Sequence, residues 1–155
     1  LPNREMNYNI FKSKYLWKRV DYDWFPSWWQ YQCVDLIRQY IKEMWWQQPS
    51  PLWNNWCKYF ALNPYYYFNP EKFERVKNTI SNKPEQWDIV IFSKPISTGH
   101  IALVDSANYL SLKVLEQNAW SGDGSWLGTN AIKLWTYSYY NVMWRFKKRT
   151  RMLNI

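Results

Sequence analysis

Pro84-Glu85-Gln86-Trp87-Asp88-Ile89-Val90-Ile91-Phe92 is where the pattern of this chain turns from helical to extended. A proline-led turn feeds a run of β-branched and aromatic residues, which predicts a buried strand over 88–92. Ser97-Thr98-Gly99 breaks that run, and His100-Ile101-Ala102-Leu103-Val104 predicts the next strand. Leu112-Lys113-Val114-Leu115-Glu116-Gln117-Asn118 predicts a third, and a Gly/Ser-containing loop follows it. A final strand pair is expected over 131–137 and 140–146. Upstream of Pro84 the spacing differs. From Gln32 to about Trp46, the apolar set Cys33, Ile37, Tyr40, Ile41 and Met44 recurs at helical intervals, with Arg38, Gln39, Lys42 and Glu43 largely opposite. Pro49 and Pro51 end that helix. Asn69-Pro70-Glu71 reads as an N-cap, a proline at the first helical position and an acid in the first turn, which predicts a helix to about Thr79. Shorter helices are expected within 1–20 and around 54–61. Helices first and antiparallel strands second is an α+β order, not an alternation of β and α units.

Composition narrows the class of protein. At 155 residues the chain is most simply one domain with a real core. A 47% hydrophobic and 21% charged composition is that of a globular chain. No apolar run is long enough to span a membrane. The chain opens Leu1-Pro2-Asn3 with no initiator Met and no apolar signal segment, as a fragment or a mature form would, so a route of export is not written in it. The formal charge of +8 favours an anionic partner, and part of the excess sits in Lys147-Lys148-Arg149-Thr150-Arg151, a basic tail. Two cysteines are too few for a disulfide scaffold and lack the spacing of a zinc site, so both thiols are expected to be free.

The chemistry-bearing residues fall in a telling order. Cys33 lies at the start of the long helix, where backbone N–H groups and the helix dipole favour a thiolate. His100 opens a strand and is the only histidine in the chain. Strand alternation puts His100, Ala102 and Val104 on one face, and Val114, Glu116 and Asn118 on one face of the following strand. A nucleophilic cysteine needs a base within about 3 Å and a group that orients that base. Cys33, His100 and either Glu116 or Asn118 are candidates for those roles. Amides at the helix start and the side-chain amide of Gln32 are candidate donors to an oxyanion. Taken singly, each residue has an ordinary structural reading: a buried thiol, a hydrogen-bonded histidine, a solvated turn.

Gln32-Cys33-Val34-Asp35-Leu36, Asp88-Ile89-Val90-Ile91-Phe92, Gly99-His100-Ile101-Ala102-Leu103-Val104 and Leu115-Glu116-Gln117-Asn118, in that order, resemble the signature blocks of CHAP domains. These are cysteine, histidine-dependent amidohydrolases/peptidases. The resemblance covers about residues 20–147, leaving 1–19 as an N-terminal extension and 148–155 as the tail of a single domain. It implies a papain-like α+β fold, with N-terminal helices packed on a C-terminal antiparallel sheet. It implies cleavage of peptidoglycan amide bonds, as an N-acetylmuramoyl-L-alanine amidase or an endopeptidase of bacterial or phage (endolysin) origin. Cys33 would then be the nucleophile, His100 the base and later the acid, Glu116 and Asn118 the imidazole orienters, and Gln32 an oxyanion donor. No cofactor is required by that chemistry. Some members bind a structural Ca²⁺ through acids near the cysteine, which implies Asp21, Asp23 and Asp35 as ligands here. The implied partners are peptidoglycan and anionic wall polymers, with no nucleic acid and no membrane span. The implied form is a monomer working outside the cell or at its wall.

Two rival readings make different demands. An NlpC-type cell-wall cysteine peptidase shares the Cys-then-His order but uses a second histidine, which this chain lacks. A basic, aromatic-rich module would bind glycan or nucleic acid by charge and stacking without catalysis.

Thirteen tryptophans stand against four glycines. Trp87 occupies a turn position where CHAP domains usually have glycine, and Trp24, Trp53, Trp120, Trp126 and Trp144 are comparable. Either UGA codons decoded as glycine stand here as tryptophan, or the indoles form a sugar-stacking surface. A bulky residue at Trp87 is expected to sit in a strained turn.

Overall fold

The structure is a computed structural model, and it describes residues 4–20, 33–45, 73–77, 79, 81–93, 99–117 and 131–148. Among the described residues two helices, α1 (Arg4–Tyr15) and α2 (Cys33–Trp45), precede six strands: β1 (Phe73–Lys77), β2 (Ile89–Phe92), β3 (His100–Ala107), β4 (Ser111–Glu116), β5 (Lys133–Ser138) and β6 (Val142–Lys148). A short 3-10 turn, Tyr139–Asn141, joins the last two. The strands form one sheet in the order β1-β6-β2-β3-β4-β5, and every neighbouring pair is antiparallel. Helices followed by an antiparallel sheet is the α+β arrangement expected from the sequence.

The sheet's centre is buried on both faces. Ile89, Ile91, Ile101, Leu103 and Leu115 pack with α1 and α2, while Val90, Phe92, Ala102, Val104, Leu112 and Val114 form a second cluster. Burial on both sides explains why β2 reads as an unbroken apolar run and not as an alternation. Helix α2 presents Val34, Leu36, Ile37, Tyr40 and Ile41 to the first cluster. Each fully buried aliphatic side chain there contributes roughly 1.5–3 kcal/mol. The helix is more deeply buried than its spacing suggests. Arg38, expected on the open face, is 2% exposed, and its guanidinium lies 3.8 Å from the Asp35 carboxylate one turn earlier.

Helix α1 lies in the segment that the motif blocks leave as an extension, yet it supplies core residues. Tyr8 and Phe11 are buried, and Phe11 meets Tyr40 of α2 edge-on with ring centroids 5.5 Å apart. Tyr8 Oη and Lys12 Nζ each donate to Asp105 of β3 at 2.9 Å. Glu43 of α2 accepts from Lys14 Nζ at 2.9 Å, from Gln39 Nε2 at 2.8 Å and from the Tyr15 hydroxyl.

Two expectations are corrected. Residues 73–77 are strand β1, not the end of a helix. Phe73 is buried beside exposed Glu74 and Arg75, and the segment closes the open edge of β6 with Phe73 opposite Lys148 and Lys77 opposite Trp144. Backbone pairing at that edge overrides the local capping signal. The last two strands exist close to their expected positions but do not pair with each other. Strand β5 flanks β4, whereas β6 crosses to lie between β1 and β2. The segment around 54–61 lies outside the described residues.

Backbone angles single out two tryptophans. Trp87 has φ of 87° and Trp17 has φ of 68°, and they are the non-glycine residues with positive φ among the described residues. Gly99, directly before His100, has φ of 77°. Trp87 is fully buried, with its ring edge-on to Tyr40 at 6.4 Å. Its N–H donates to Val104 across the sheet, and the Asp88 N–H donates to the Glu85 carbonyl, so the chain turns sharply just before β2.

Candidate active site

Cys33 is the first residue of α2, so its backbone lies in the turn whose N–H groups have no partner within the helix. Asp35 is in that same first turn, where an acid complements the positive end of the helix. Cys33 is outside any disulfide and is 8% exposed. Helix α2 packs on β3, and a side-chain hydrogen bond between Cys33 and His100 joins the start of the helix to the start of that strand.

His100 opens β3 and is buried, pairing across the ladder with Phe92. The Phe92 ring stacks on the imidazole, with centroids 5.9 Å apart and an interplanar angle of 26°. The register of β2 against β6 shifts between Ile91 and Phe92, an irregularity that re-aims a side chain at a strand end. On the other side, Nε2 of His100 donates to Oε2 of Glu116 at 2.8 Å. Glu116 ends β4 and is fully buried. Nδ1 is therefore the ring nitrogen left for the hydrogen bond that His100 shares with the Cys33 side chain.

Electrostatics follow from that placement. Burial by itself would hold the imidazole neutral. The hydrogen bonds to Cys33 and Glu116, with the charges on both, outweigh it and push the His100 pKa from 6.5 up to about 9. An imidazolium between a thiolate and a carboxylate is the state these contacts favour.

The carboxylate has a second partner. Tyr137 of β5 lies 2.9 Å from both Glu116 oxygens through its hydroxyl. Its ring packs against Phe92, with centroids 5.0 Å apart. Burial and the adjacent carboxylate raise the Tyr137 pKa, so the phenol stays protonated and acts as a donor. Gln117, the middle of the Glu-Gln-Asn run, has a different task. Its side chain accepts from the Val20 N–H at 2.6 Å and donates to the Val20 carbonyl at 2.8 Å, clamping the segment behind α1 to the end of β4. Sequence reasoning missed both. Tyr137 shares a face of an edge strand with exposed Trp135, so nothing local marked its hydroxyl as facing inward.

Of the residues singled out from the sequence, Cys33, His100 and Glu116 meet. Gln32, Asn118, Asp21 and Asp23 lie outside the described residues, as does Cys57. Asp35, the third candidate calcium ligand, lies beside the Arg38 guanidinium. Among the described residues no three acidic, histidine or cysteine side chains cluster as a metal site. Asp35 is the one candidate ligand among the described residues, and no step of the chemistry below runs through calcium.

The sequence matches the family model of the CHAP domain over residues 20–118, more than half of the chain. The chain belongs to the CHAP domain family. No curated protein matches it in sequence. Among solved structures it resembles the wild-type endolysin LysIME-EF1 at a TM-score of 0.74 and 16% identity, over 98% of this chain and 67% of that one. It also resembles Ly7917 at a TM-score of 0.59 and 14% identity, over 95% of this chain and 63% of that one. This CHAP chain thus spans about two thirds of the length of those proteins. At such identities the likeness is one of fold, and the fold is the papain-like α+β arrangement.

Proposed function

We propose that this CHAP chain is a peptidoglycan hydrolase that cuts an amide bond in the peptide portion of the wall, using Cys33 as nucleophile. The observation that carries this reading is the buried His100–Glu116 hydrogen bond of 2.8 Å, with the Cys33 side chain bonded to the same imidazole. In the first step the Cys33 thiolate attacks the amide carbonyl carbon. The oxyanion that forms faces the N–H groups of the first turn of α2, with the Gln32 amide proposed as a further donor. The His100 imidazolium protonates the leaving nitrogen, the C–N bond breaks, and a thioester remains on Cys33. Neutral His100 then takes a proton from water as the oxygen attacks the thioester carbon, the C–S bond breaks, and a carboxylic acid is released with Cys33 left as thiolate beside the His100 imidazolium. Glu116 holds the imidazole through Nε2 so that Nδ1 faces the sulfur in both half-reactions. Asn118 is proposed as a second orienter.

Family membership supports hydrolysis of wall material, and the net charge of +8 supports residence near anionic wall polymers. The site of action is accordingly proposed to be the wall, and the working unit a monomer. An NlpC-type site would put a second histidine where Glu116 stands. The test is digestion of purified peptidoglycan with mass analysis of the released fragments. New free amino groups without new reducing sugar ends, lost in Cys33→Ser, are the expected result. Release of sugar ends, or full activity in Cys33→Ser, would overturn the reading.

A further inference from the structure

We propose that Tyr137 is a positioning residue of this site, a role that rests on the cysteine-hydrolase reading above. The Glu116 carboxylate is fully buried, and a buried carboxylate is held in one orientation only when donors satisfy its oxygens. His100 supplies one donor to Oε2 at 2.8 Å. Tyr137 Oη sits 2.9 Å from Oε1 and 2.9 Å from Oε2, which locks rotation of the carboxylate about its last bond. Phe92 holds both ends of this chain of contacts, stacked on His100 on one side and packed on Tyr137 on the other. The phenol thus acts on the sulfur at two removes, through Glu116 and His100. It touches neither substrate nor nucleophile.

Tyr137→Phe keeps the ring on Phe92 and removes only the donor. Loss of a hydrogen bond to a charged group predicts about a tenfold or greater fall in kcat with KM little changed. Without that donor the carboxylate turns more freely and holds Nε2 of His100 less firmly. A purely structural role would lower the melting temperature and leave kcat of the folded enzyme unchanged. Alkylation of Cys33 by iodoacetamide at neutral pH reads the same pairing without any wall substrate, and it should slow in Tyr137→Phe. A fall in kcat at unchanged KM together with slower alkylation supports the proposal. Slower alkylation in Tyr137→Phe with no lysis by the wild type keeps the positioning role and sinks the substrate. Wild-type lysis with kcat and alkylation both unchanged in Tyr137→Phe overturns the positioning role and leaves the hydrolase.

A separate observation carries a second inference. We infer that positions 17 and 87 are glycine in the protein its own organism makes, encoded by UGA codons that are written here as tryptophan. Both non-glycine residues with positive φ among the described residues are tryptophans. Each sits where the backbone has a reason to want glycine. Trp17 lies two residues past the end of α1, after a Leu16 N–H bond to the Lys12 carbonyl, at the left-handed closing position of a helix that glycine usually fills. Its indole is 72% exposed, so packing returns little for the strained angle. Trp87 holds the turn before β2 with its N–H on Val104. Thirteen tryptophans against four glycines is the imbalance such a substitution leaves.

The codons decide it: UGA at 17 and 87, with glycine-bearing peptides from protein isolated from the source cells, is the expected result, and UGG at both overturns it. In recombinant protein Trp17→Gly should melt about 3 °C higher than Trp17→Ala, because only glycine adopts that φ without a steric cost. Equal melting of the two variants would overturn the backbone part of the inference.

Discussion

Replacing Glu116 by Gln keeps the shape of the side chain and removes one negative charge 2.8 Å from His100. The pKa of that histidine stands at about 9, up from the ordinary 6.5, with burial opposing and the contacts to Cys33 and Glu116 raising it. That rise corresponds to roughly 3 kcal/mol in favour of the imidazolium, since each pKa unit is worth about 1.4 kcal/mol. Glu116 shares this with Cys33, and a hydrogen bond to a charged group contributes about 1.5–3 kcal/mol. Its loss predicts a fall in kcat/KM of roughly 10- to 150-fold at neutral pH. The alkaline limb of the pH–rate profile should drop from about 9 by about one to two pH units. The amide oxygen of Gln can still accept the Nε2 proton, so the tautomer survives and some activity remains. Clearing of a peptidoglycan suspension across the neutral and alkaline range measures both quantities. A Glu116→Gln variant with the wild-type rate and an unmoved alkaline limb would show that this carboxylate does not sustain the imidazolium.

Other outcomes follow from the same contacts. His100 has a raised pKa in the folded chain, so the stability it confers is complete below the unfolded value near 6.5 and is lost as the pH rises through about 9. Thermal melts should therefore fall across that window in the wild type and fall less in Glu116→Gln, while a flat wild-type profile would contradict the linkage. Gln117→Ala removes both bonds to the Val20 backbone. It should cost roughly 2–4 kcal/mol, from two buried groups left without those partners, read as a lower urea midpoint, with the pH profile of Cys33 alkylation unmoved. Ile37→Ala on the sheet-facing side of α2, fully buried, should cost about 2–4 kcal/mol by the same measurement; a loss below half that would place Ile37 outside the core.

Much of the fold was legible because periodicity and burial agree. Helix α2 and strands β2, β3 and β4 appear within a few residues of where spacing placed them. Their central, doubly covered positions impose unmistakable apolar runs. The failures lie at the sheet's margins. Strand β1 exists because β6 offers an open edge, a fact located more than sixty residues from the Asn69-Pro70-Glu71 signal that argued for helix. The pairing of β6 with β1 and β2, in place of β5, is likewise non-local. At the site, the faces of β3 and β4 correctly joined His100 to Glu116, because alternation survives wherever a strand is regular. Tyr137 and Gln117 were invisible because their roles depend on the partner they reach across the fold, not on their neighbours in sequence. Arg38 shows the converse: a charge at a helical surface position lies buried beside Asp35.

The claim on which the rest depends is that sulfur and imidazole form one titrating pair. Its most direct test is the rate of iodoacetamide labelling of Cys33 against pH in the wild type and in His100→Ala, with the labelled peptide identified so that Cys57 does not contribute. The pair predicts fast labelling at mildly acidic pH in the wild type, and in His100→Ala a curve that follows an ordinary thiol with a midpoint near ~8.5. Identical curves for the two proteins would contradict it.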